Sequence, residues 1–285
     1  MSNFIVTADT TMDLPMDIIK RLDIRPIVSY VSLGGDDLPD WPDIKAEDLF
    51  EYVKKSGQLP KTAAANLTDY EEFFKKIRQE DDRPIIHIAK SSGISSCYEN
   101  AVVASRDIPD VYVVDSLGLS TGSGMLVMMA AESDKTDPKE LIAELDEFKT
   151  RIECSFIIET LDYLYKGGRC SGLAALAAGL LKLRPEIVVD NGKMHAARKF
   201  RGPYEKCLYT FIDETFKDLN RFEPGVLYIN HTIQDKKLLD ALIDHIRAFH
   251  YFADVREFPA CAAIATHCGP NCFGMHPVRK KDVQA

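Results

Sequence analysis

Two hydroxyl-rich turns carry the residues best suited to chemistry in this 285-residue chain. The first, Ser91–Ser96, follows a short apolar run and leads into a predicted helix. Small residues at such a turn expose backbone N–H groups and the positive end of the helix dipole, which suits an anion. One serine is enough to cap a helix, so both capping and anion binding remain open. The second turn, over 116–124, has the same character, with helix packing as its alternative.

Acidic residues near these turns suggest a rival function. Asp9 and Asp13 flank a turn, and Asp115 ends a predicted strand. Paired carboxylates can act as general acid and base, whereas Asp13 could equally cap a helix. The chain has no phosphate-binding P-loop, and Ser123 misses the Gly-x-Ser-x-Gly elbow by one residue. A stand-alone kinase or hydrolase that uses Asp9, Asp13 and the Ser91–Ser96 turn remains the enzyme alternative.

The C-terminal residues His267, Cys268, Cys272 and His276 form a third candidate, a metal or redox site. Two cysteines and two histidines can hold zinc, but the Cys-x-x-x-Cys spacing differs from the usual knuckle. A strand predicted over 262–267 would also direct His267 and Cys268 to opposite faces. An inserted asparagine separates the stretch from a Cys-Gly-Pro-Cys redox motif. We therefore expect buried, reduced thiols and no metal.

The composition narrows the class of protein. Hydrophobic residues make up 46% and charged residues 28%, which are globular values. With 35 basic and 44 acidic residues the net charge is −9, which argues against nucleic acid as a partner. Seven scattered cysteines, no basic apolar leader and no long apolar run predict a cytoplasmic protein without disulfides or membrane spans.

Short apolar runs alternate with amphipathic segments, which predicts an α/β fold with a largely parallel sheet. An N-terminal α/β domain over 1–155 should contain helices on both sides of that sheet. Thr68 and Glu71 have the spacing of a capping box that opens one of these helices. The predicted strands of this domain are 4–8, 24–33, 84–89 and 111–115, and its principal helices are 46–55, 98–105, 125–133 and 138–150.

The pattern changes after residue 155, which predicts a smaller mixed α/β C-terminal domain over 156–285. Asp190-Asn191-Gly192 marks a type I′ hairpin turn between two strands. An apolar, alanine-rich helix over 172–183 is either buried core or the lining of a long slot. The last strands are predicted over 252–258 and 262–267. The cluster of Arg198, Lys199 and Arg201 is either a solvated hairpin end or a docking patch.

Several of these segments together resemble the DegV family of bacterial fatty-acid-binding proteins. They occur in the family's order and cover the chain from residue 4 to 274. No single stretch is specific, but the ordered set is. The matching stretches are Asp9-Thr-Thr-Met-Asp-Leu-Pro15, Leu59-Pro-Lys-Thr62, Ser91-Ser-Gly-Ile-Ser95, Val113-Val-Asp-Ser116, Leu161-Asp-Tyr-Leu-Tyr-Lys-Gly-Gly-Arg169, Leu180-Leu-Lys-Leu-Arg-Pro185, Arg198-Lys-Phe-Arg-Gly202 and Thr266-His-Cys-Gly-Pro270.

The resemblance implies a two-domain carrier that encloses one long-chain fatty acid, such as a C16–C18 acid, in a tunnel between its domains. It places the carboxylate on Thr62, Ser95 and His267. The residues it places near the same mouth are Arg169, Ser92 and Thr266. It implies no cofactor, no metal and no catalytic residue. Thr62 departs from the family pattern because Ala63, Ala64 and Ala65 follow it in place of Ser-Gln-Pro.

The resemblance also implies a partner, a fatty acid kinase that phosphorylates the bound carboxylate from ATP for phospholipid metabolism. The hypothesis for kinase docking uses Arg198, Lys199 and Arg201. A transient membrane contact would exchange the lipid. Hydroxyls and a neutral imidazole can satisfy a carboxylate, so we expect a head group held by neutral donors without a permanent cation.

Overall fold

Three β-sheets organise the computed structural model, which describes residues 2–171 and 183–283. The described strands, in chain order, are β1 (Ile5–Asp9), β2 (Arg25–Ile27), β3 (Tyr30–Leu33), β4 (Asp36–Pro39), β5 (Lys61–Ala63), β6 (Ile85–Ala89), β7 (Val111–Asp115), β8 (Cys154–Ile157), β9 (Cys170–Ser171), β10 (Leu183–Asp190), β11 (Lys193–Arg201), β12 (Val226–His231), β13 (Asp254–Pro259) and β14 (Phe273–His276).

The helices of the described ranges cover the sheet faces and join the sheets. In chain order they are α1 (Met16–Arg21), α2 (Ala46–Ser56), α3 (Leu67–Glu80), α4 (Cys97–Ser105), α5 (Ser120–Glu132), α6 (Pro138–Lys149), α7 (Asp162–Gly167), α8 (Tyr204–Thr215), α9 (Lys236–Arg247) and α10 (Ala262–Cys268). Short 3₁₀ turns cover Thr10–Met12 and Leu219–Arg221.

The N-terminal sheet is parallel, in the order β2-β1-β6-β7, which confirms the predicted fold class. Its central strands are buried on both faces, as expected when helices cover both sides. Ile5 and Ile85 face a core built with α3 and α4, while Ile86 and Ile88 face a second core built with α5 and α6. The sheet therefore presents its carboxyl ends, the usual ligand edge of an open α/β sheet, at a single rim.

Helix α3 begins two residues earlier than the predicted capping box requires. The side chain of Asn66 accepts a hydrogen bond from the N–H of Asp69, and the Asp69 carboxylate accepts one from the N–H of Asn66. The capping box predicted at Thr68 and Glu71 is therefore wrong. Asparagine is at least as good an N-cap as threonine, so the capping box of Asn66 and Asp69 can form in place of the one predicted at Thr68 and Glu71.

The second large sheet is mixed, in the order β13-β12-β14-β8-β10-β11-β9. Strands β10 and β11 form the predicted hairpin, and Asn191 and Gly192 at its turn have φ of 45° and 77°. Positive φ at both central positions is what a type I′ turn requires. Strand β8 spans the predicted border at residue 155 and pairs with β10 and β14, so it belongs to this second sheet.

Two predicted strands are wrong. The segment 24–33 forms two short strands in different sheets, β2 beside β1 and β3 in a small antiparallel sheet with β4 and β5. The segment 262–267 is helix α10, and β14 is the last strand instead. Alanine is the best helix former, and three of the first four residues of α10 are alanines.

Helix α5 links the two large sheets, because it contacts β1 and β6 on one side and β12 on the other. It begins at Ser120, five residues before the predicted start, and its first turn is Ser-Thr-Gly-Ser-Gly. The predicted apolar helix over 172–183 lies outside the described residues except for its last position. Within the described ranges, no helix is both long and apolar enough to cross a bilayer.

Candidate functional site

Thr62 and His267 meet at the mouth of a cavity between the halves of the molecule. Thr62 lies on β5 in the small sheet, and His267 is the penultimate residue of α10. Thr62 Oγ1 and His267 Nε2 are 2.8 Å apart and hydrogen-bonded. Both residues line a cavity of about 110 Å³. The apolar part of its lining comprises Ile94, Leu119, Phe156, Leu164, Met194 and Ile264.

The alanines of α10 explain how His267 reaches this mouth. Ala262, Ala263 and Ala265 are buried against Val31 of the small sheet and Leu49 of α2. Small side chains let the helix axis approach these elements closely. The same helix also contacts α7 and β5, so its last turn is fixed from several sides.

The sequence Gly167-Gly168-Arg169 also helps to set the position of the His267 ring at the mouth. A Cβ on Gly167 would collide with the imidazole of His267, so only glycine allows the close approach. Gly168 caps the C-terminal end of α7 with φ of 69°, a left-handed conformation that glycine adopts without strain. Arg169 then lines the cavity, and its guanidinium donates a 2.6 Å hydrogen bond to the carbonyl of Gly167. Arg169 is thus one of the residues that line the cavity, and its place beside a bound carboxylate stays a prediction.

The His267 imidazole is neutral near pH 7. Burial, together with the positive charges of Arg169 and Lys90, lowers its pKa to about 4. Its Nδ1 is buried and has no hydrogen-bond partner among the described residues. An orphaned N–H is rarer in proteins than an orphaned acceptor, so the proton belongs on Nε2, donated to Thr62 Oγ1. The hydroxyl proton of Thr62 is then free to point at a ligand.

The serines of the Ser91–Ser96 turn have separate tasks. Ser91 donates a 2.8 Å hydrogen bond to the carbonyl of Gly192 and so ties the β10–β11 hairpin to the N-terminal half. Ser95 and Ser96 line the cavity, and Ser95 Oγ also accepts from the N–H of Cys97 at the start of α4. Capping and cavity lining therefore coexist in one turn. Ser92 is not among the residues that line the cavity.

Two other predicted residue groups lie outside the cavity wall. Thr266 is buried, and its hydroxyl donates to the carbonyl of Ala262 inside the helix. Asp9 accepts from the Tyr70 hydroxyl and from the N–H of Lys90. Asp13 accepts from the Ser120 hydroxyl and from the N–H of Cys261, and burial raises its pKa to about 6. The two carboxylates thus hold neighbouring elements in place.

The C-terminal cysteines and histidines are also separated. His267 bonds Thr62, whereas His276 is buried and bonds Asn230 through Nε2. The hydrogen bond with Cys268 raises the pKa of the Cys272 thiol, and burial raises it further. Among residues 2–171 and 183–283, no three His, Cys, Asp or Glu side chains converge as metal ligands do. The strand argument against a metal site was wrong, because His267 and Cys268 lie on a helix.

The Arg198 side chain is already engaged in the second sheet. Its guanidinium contacts both carboxylate oxygens of the buried Glu186, at 2.5 and 2.7 Å, and the Thr215 hydroxyl at 2.8 Å. Lys199 and Arg201, on the same strand, are exposed. Of the basic cluster, these two side chains are the ones free to meet a partner's acidic groups.

Three polar residues of the cavity were missed from the sequence. Lys90 directly follows β6, and Thr11 and Ser29 lie after β1 and β2, all at the carboxyl ends of the parallel strands. Lys90 and Arg169 both line the cavity, and a head group held by neutral donors without a permanent cation contact stays a prediction. The signal was present, since Lys90 stands between the predicted strand 84–89 and the serine turn.

This arrangement defines a class of protein. Two packed α/β halves enclose a cavity whose wall combines apolar side chains with hydroxyls, an imidazole and two cations. A model of the DegV family, described as uncharacterised, matches residues 3–280. The chain therefore belongs to the DegV family.

Relatives of known sequence and structure agree with this assignment. A DegV domain-containing protein of Clostridium perfringens is 31% identical, with 98% of this chain and all of that protein covered. A fatty acid-binding protein of Thermotoga maritima is 28% identical over 97% of this chain and 98% of its own. A Thermus thermophilus DegV structure, described by its fatty acid binding, superposes with a TM-score of 0.89 at 27% identity, covering 97% and 99% of the chains.

Proposed function

We propose that this protein binds one long-chain fatty acid, with its carboxylate on Thr62, Ser95 and His267. The Thr62–His267 pair carries the proposal, because the imidazole N–H donates to Thr62 Oγ1 and leaves the threonine hydroxyl proton for a carboxylate in a largely apolar cavity. The fatty acid binding reported for the Thermus thermophilus and Thermotoga maritima proteins supports the same ligand class. A carrier needs no metal or catalytic base of its own.

Burial of the acyl chain would supply most of the affinity. Each buried CH₂ contributes about 0.8 kcal/mol, so a C16 chain offers up to about 12 kcal/mol before ordering costs. A cavity of about 110 Å³ holds roughly eight water-sized groups, which suits the carboxyl end and the first part of that chain. The remaining methylenes would continue past Leu119, Phe156 and Met194 in a tunnel between the sheets.

We further propose that the bound carboxylate is presented to a fatty acid kinase, which brings ATP and Mg²⁺. The mouth suits presentation because Ser96 and Arg169 are exposed there. Lys199 and Arg201 would dock the kinase, with Arg198 holding their strand through Glu186. Exchange of the acid at a membrane surface, and a cytoplasmic location, stay predictions.

Native mass spectrometry followed by solvent extraction tests the binding proposal directly. The purified protein should carry one fatty acid per chain. Thr62→Ala combined with Ser95→Ala should reduce the bound fraction. The control, Ser105→Ala combined with Thr210→Ala, should not, because it removes two hydroxyls that bond carbonyls of their own helices and do not line the cavity. A protein that carries no lipid and binds none when it is supplied would overturn the proposal. ATP turnover by the purified protein alone would favour the enzyme alternative.

Charge reversal tests the docking proposal. Lys199→Glu combined with Arg201→Glu should slow acyl-phosphate formation by the fatty acid kinase of the same organism while lipid content stays unchanged. The matched control is Lys236→Glu with Lys237→Glu, which applies the same charge change at the start of α9. Equal effects of the two double variants would argue against a docking role.

A further inference from the structure

Lys90 occupies an unusual position for a lysine. It directly follows the buried strand β6 and lines the same cavity as Thr62, Ser95 and His267. No hydrogen bond or ion pair joins its ammonium group to another residue in the described ranges. An ammonium group at a cavity wall without a direct partner can donate hydrogen bonds to a molecule that enters the cavity. The Lys90 cation is therefore available to a ligand.

The nearest carboxylates are occupied by other groups. Asp9 accepts from the Tyr70 hydroxyl and, at 2.7 Å, from the N–H of Lys90 itself. Asp40 is buried and accepts from the Thr10 hydroxyl at 2.7 Å and the N–H of Ser29 at 3.1 Å. Asp40 Oδ2 has no hydrogen-bond partner among the described residues, but neither carboxylate forms a direct ion pair with the Lys90 ammonium group there.

Two buried hydroxyls point to a ligand independently. Thr11 and Ser29 line the cavity with exposures of 1% and 2%. Neither Thr11 Oγ1 nor Ser29 Oγ has a hydrogen-bond partner among the described residues. Buried hydroxyls without partners are uncommon, and here two of them share a cavity with a cation. Together they offer two O–H donors and one N–H donor group to an anion.

We propose that Lys90 is the cationic contact of the head-group site, and that its ammonium pairs with the carboxylate of the bound acid while Thr11 and Ser29 supply further donors. This inference rests on the proposed fatty acid binding and specifies its chemistry. Asp9 and Asp40 place negative charge beneath the site, so an acid approaching them needs an opposing charge. Burial lowers the pKa of Lys90, but its interactions with Cys97, Asp9, Cys261 and Asp40 outweigh that and raise the pKa, which keeps the ammonium charged.

A comparison of an acid with the corresponding alcohol isolates this contact. Hexadecanoate and 1-hexadecanol share one chain, and only the first carries a charge. Delipidated wild-type protein should bind hexadecanoate at least about 30-fold more tightly, as expected for a buried charge pair. Lys90→Met should remove that preference by weakening hexadecanoate binding, with the 1-hexadecanol affinity changed less than about threefold.

The control is Lys61→Met, which removes the same charge from an exposed residue next to Thr62 and should leave both affinities unchanged. If Lys90→Met does not fold, Lys90→Gln, which removes the charge but keeps a polar side chain, replaces it in the same comparison. Equal wild-type affinities for the two ligands, or equal losses of both in Lys90→Met, would overturn the Lys90 contact while fatty acid binding stands. Wild-type protein that binds neither ligand would instead overturn the proposed function, and the Lys90 contact with it.

Discussion

Gly167 lies directly against the imidazole of His267, and the space between them leaves no room for a methyl group. Gly167 ends α7, whereas His267 comes from α10, so the contact sets the position of the ring relative to Thr62. Gly167 therefore lies close to the Nδ1 side of the ring. Nδ1 has no hydrogen-bond partner among the described residues. One glycine thus determines the geometry of the polar mouth.

Gly167→Ala should displace the ring and break the 2.8 Å contact with Thr62. We expect fatty acid affinity to fall about tenfold, the loss of one net hydrogen bond, and the free energy of unfolding to drop by about 1–3 kcal/mol from overpacking. Ligand titration and denaturant unfolding measure the two effects. Gly225→Ala is the control because a Cβ there meets nothing within 4 Å. Unchanged affinity in Gly167→Ala would show that the ring position is unimportant.

The His267 imidazole should stay neutral from pH 8 down to about pH 5, because burial and the neighbouring cations lower its pKa to about 4. Its proton should reside on Nε2, where Thr62 Oγ1 accepts it. Nitrogen-15 NMR of histidine-labelled protein reports both the charge and the tautomer, and His267→Asn assigns the signal. A signal that titrates near pH 6.5, or a proton found on Nδ1, would contradict this assignment.

Ser91→Ala should weaken the attachment of the hairpin turn to the N-terminal half. The Ser91 hydroxyl donates to the carbonyl of Gly192, and both residues are buried. An unsatisfied buried carbonyl costs about 1–3 kcal/mol of unfolding free energy. Denaturant unfolding should show that loss, whereas Ser105→Ala, whose hydroxyl bonds a carbonyl within its own helix, should change stability by under about 0.5 kcal/mol.

Acid should destabilise the protein partly through His87. Burial lowers the pKa of His87 to about 4, below the ordinary 6.5 of an unfolded chain. Between pH 6.5 and pH 4 the unfolded state therefore binds the extra proton, and stability is lost as the pH falls through that window. The full effect is about 3 kcal/mol. In His87→Asn, the slope of unfolding free energy against pH should shrink by about one proton, and an unchanged slope would contradict the shift.

Local sequence patterns predicted the N-terminal half well because its strands are buried on both faces. Runs such as Ile85–Ala89 can be read without knowledge of their neighbours. The segment 24–33 could not be read that way. Its division into β2 and β3 depends on pairing with strands that are not adjacent in sequence. β2 pairs with β1 in the parallel sheet, and β3 pairs with β5 in the small antiparallel sheet.

The site was predicted in part. The meeting of Thr62 and His267 came from the family resemblance, since 205 residues separate them in the sequence. Helix α10 was mistaken for a strand because its first four residues are all apolar and carry no periodicity. Lys90 was overlooked because a lysine after a strand normally reaches solvent, and only the tertiary structure shows that it faces a cavity.

The two hydrogen-bonded residues at the cavity mouth come from different layers of the fold, and this affects the thermal stability of the protein. Thr62 belongs to the small sheet, and His267 belongs to a helix that follows β13 of the large mixed sheet. A ligand that binds both residues would therefore stabilise the packing of these two layers. Any occupant that leaves when the layers part raises the melting temperature in proportion to the logarithm of its concentration. The melting temperature of a fatty-acid-binding protein built in this way would then report the concentration of free fatty acid around it.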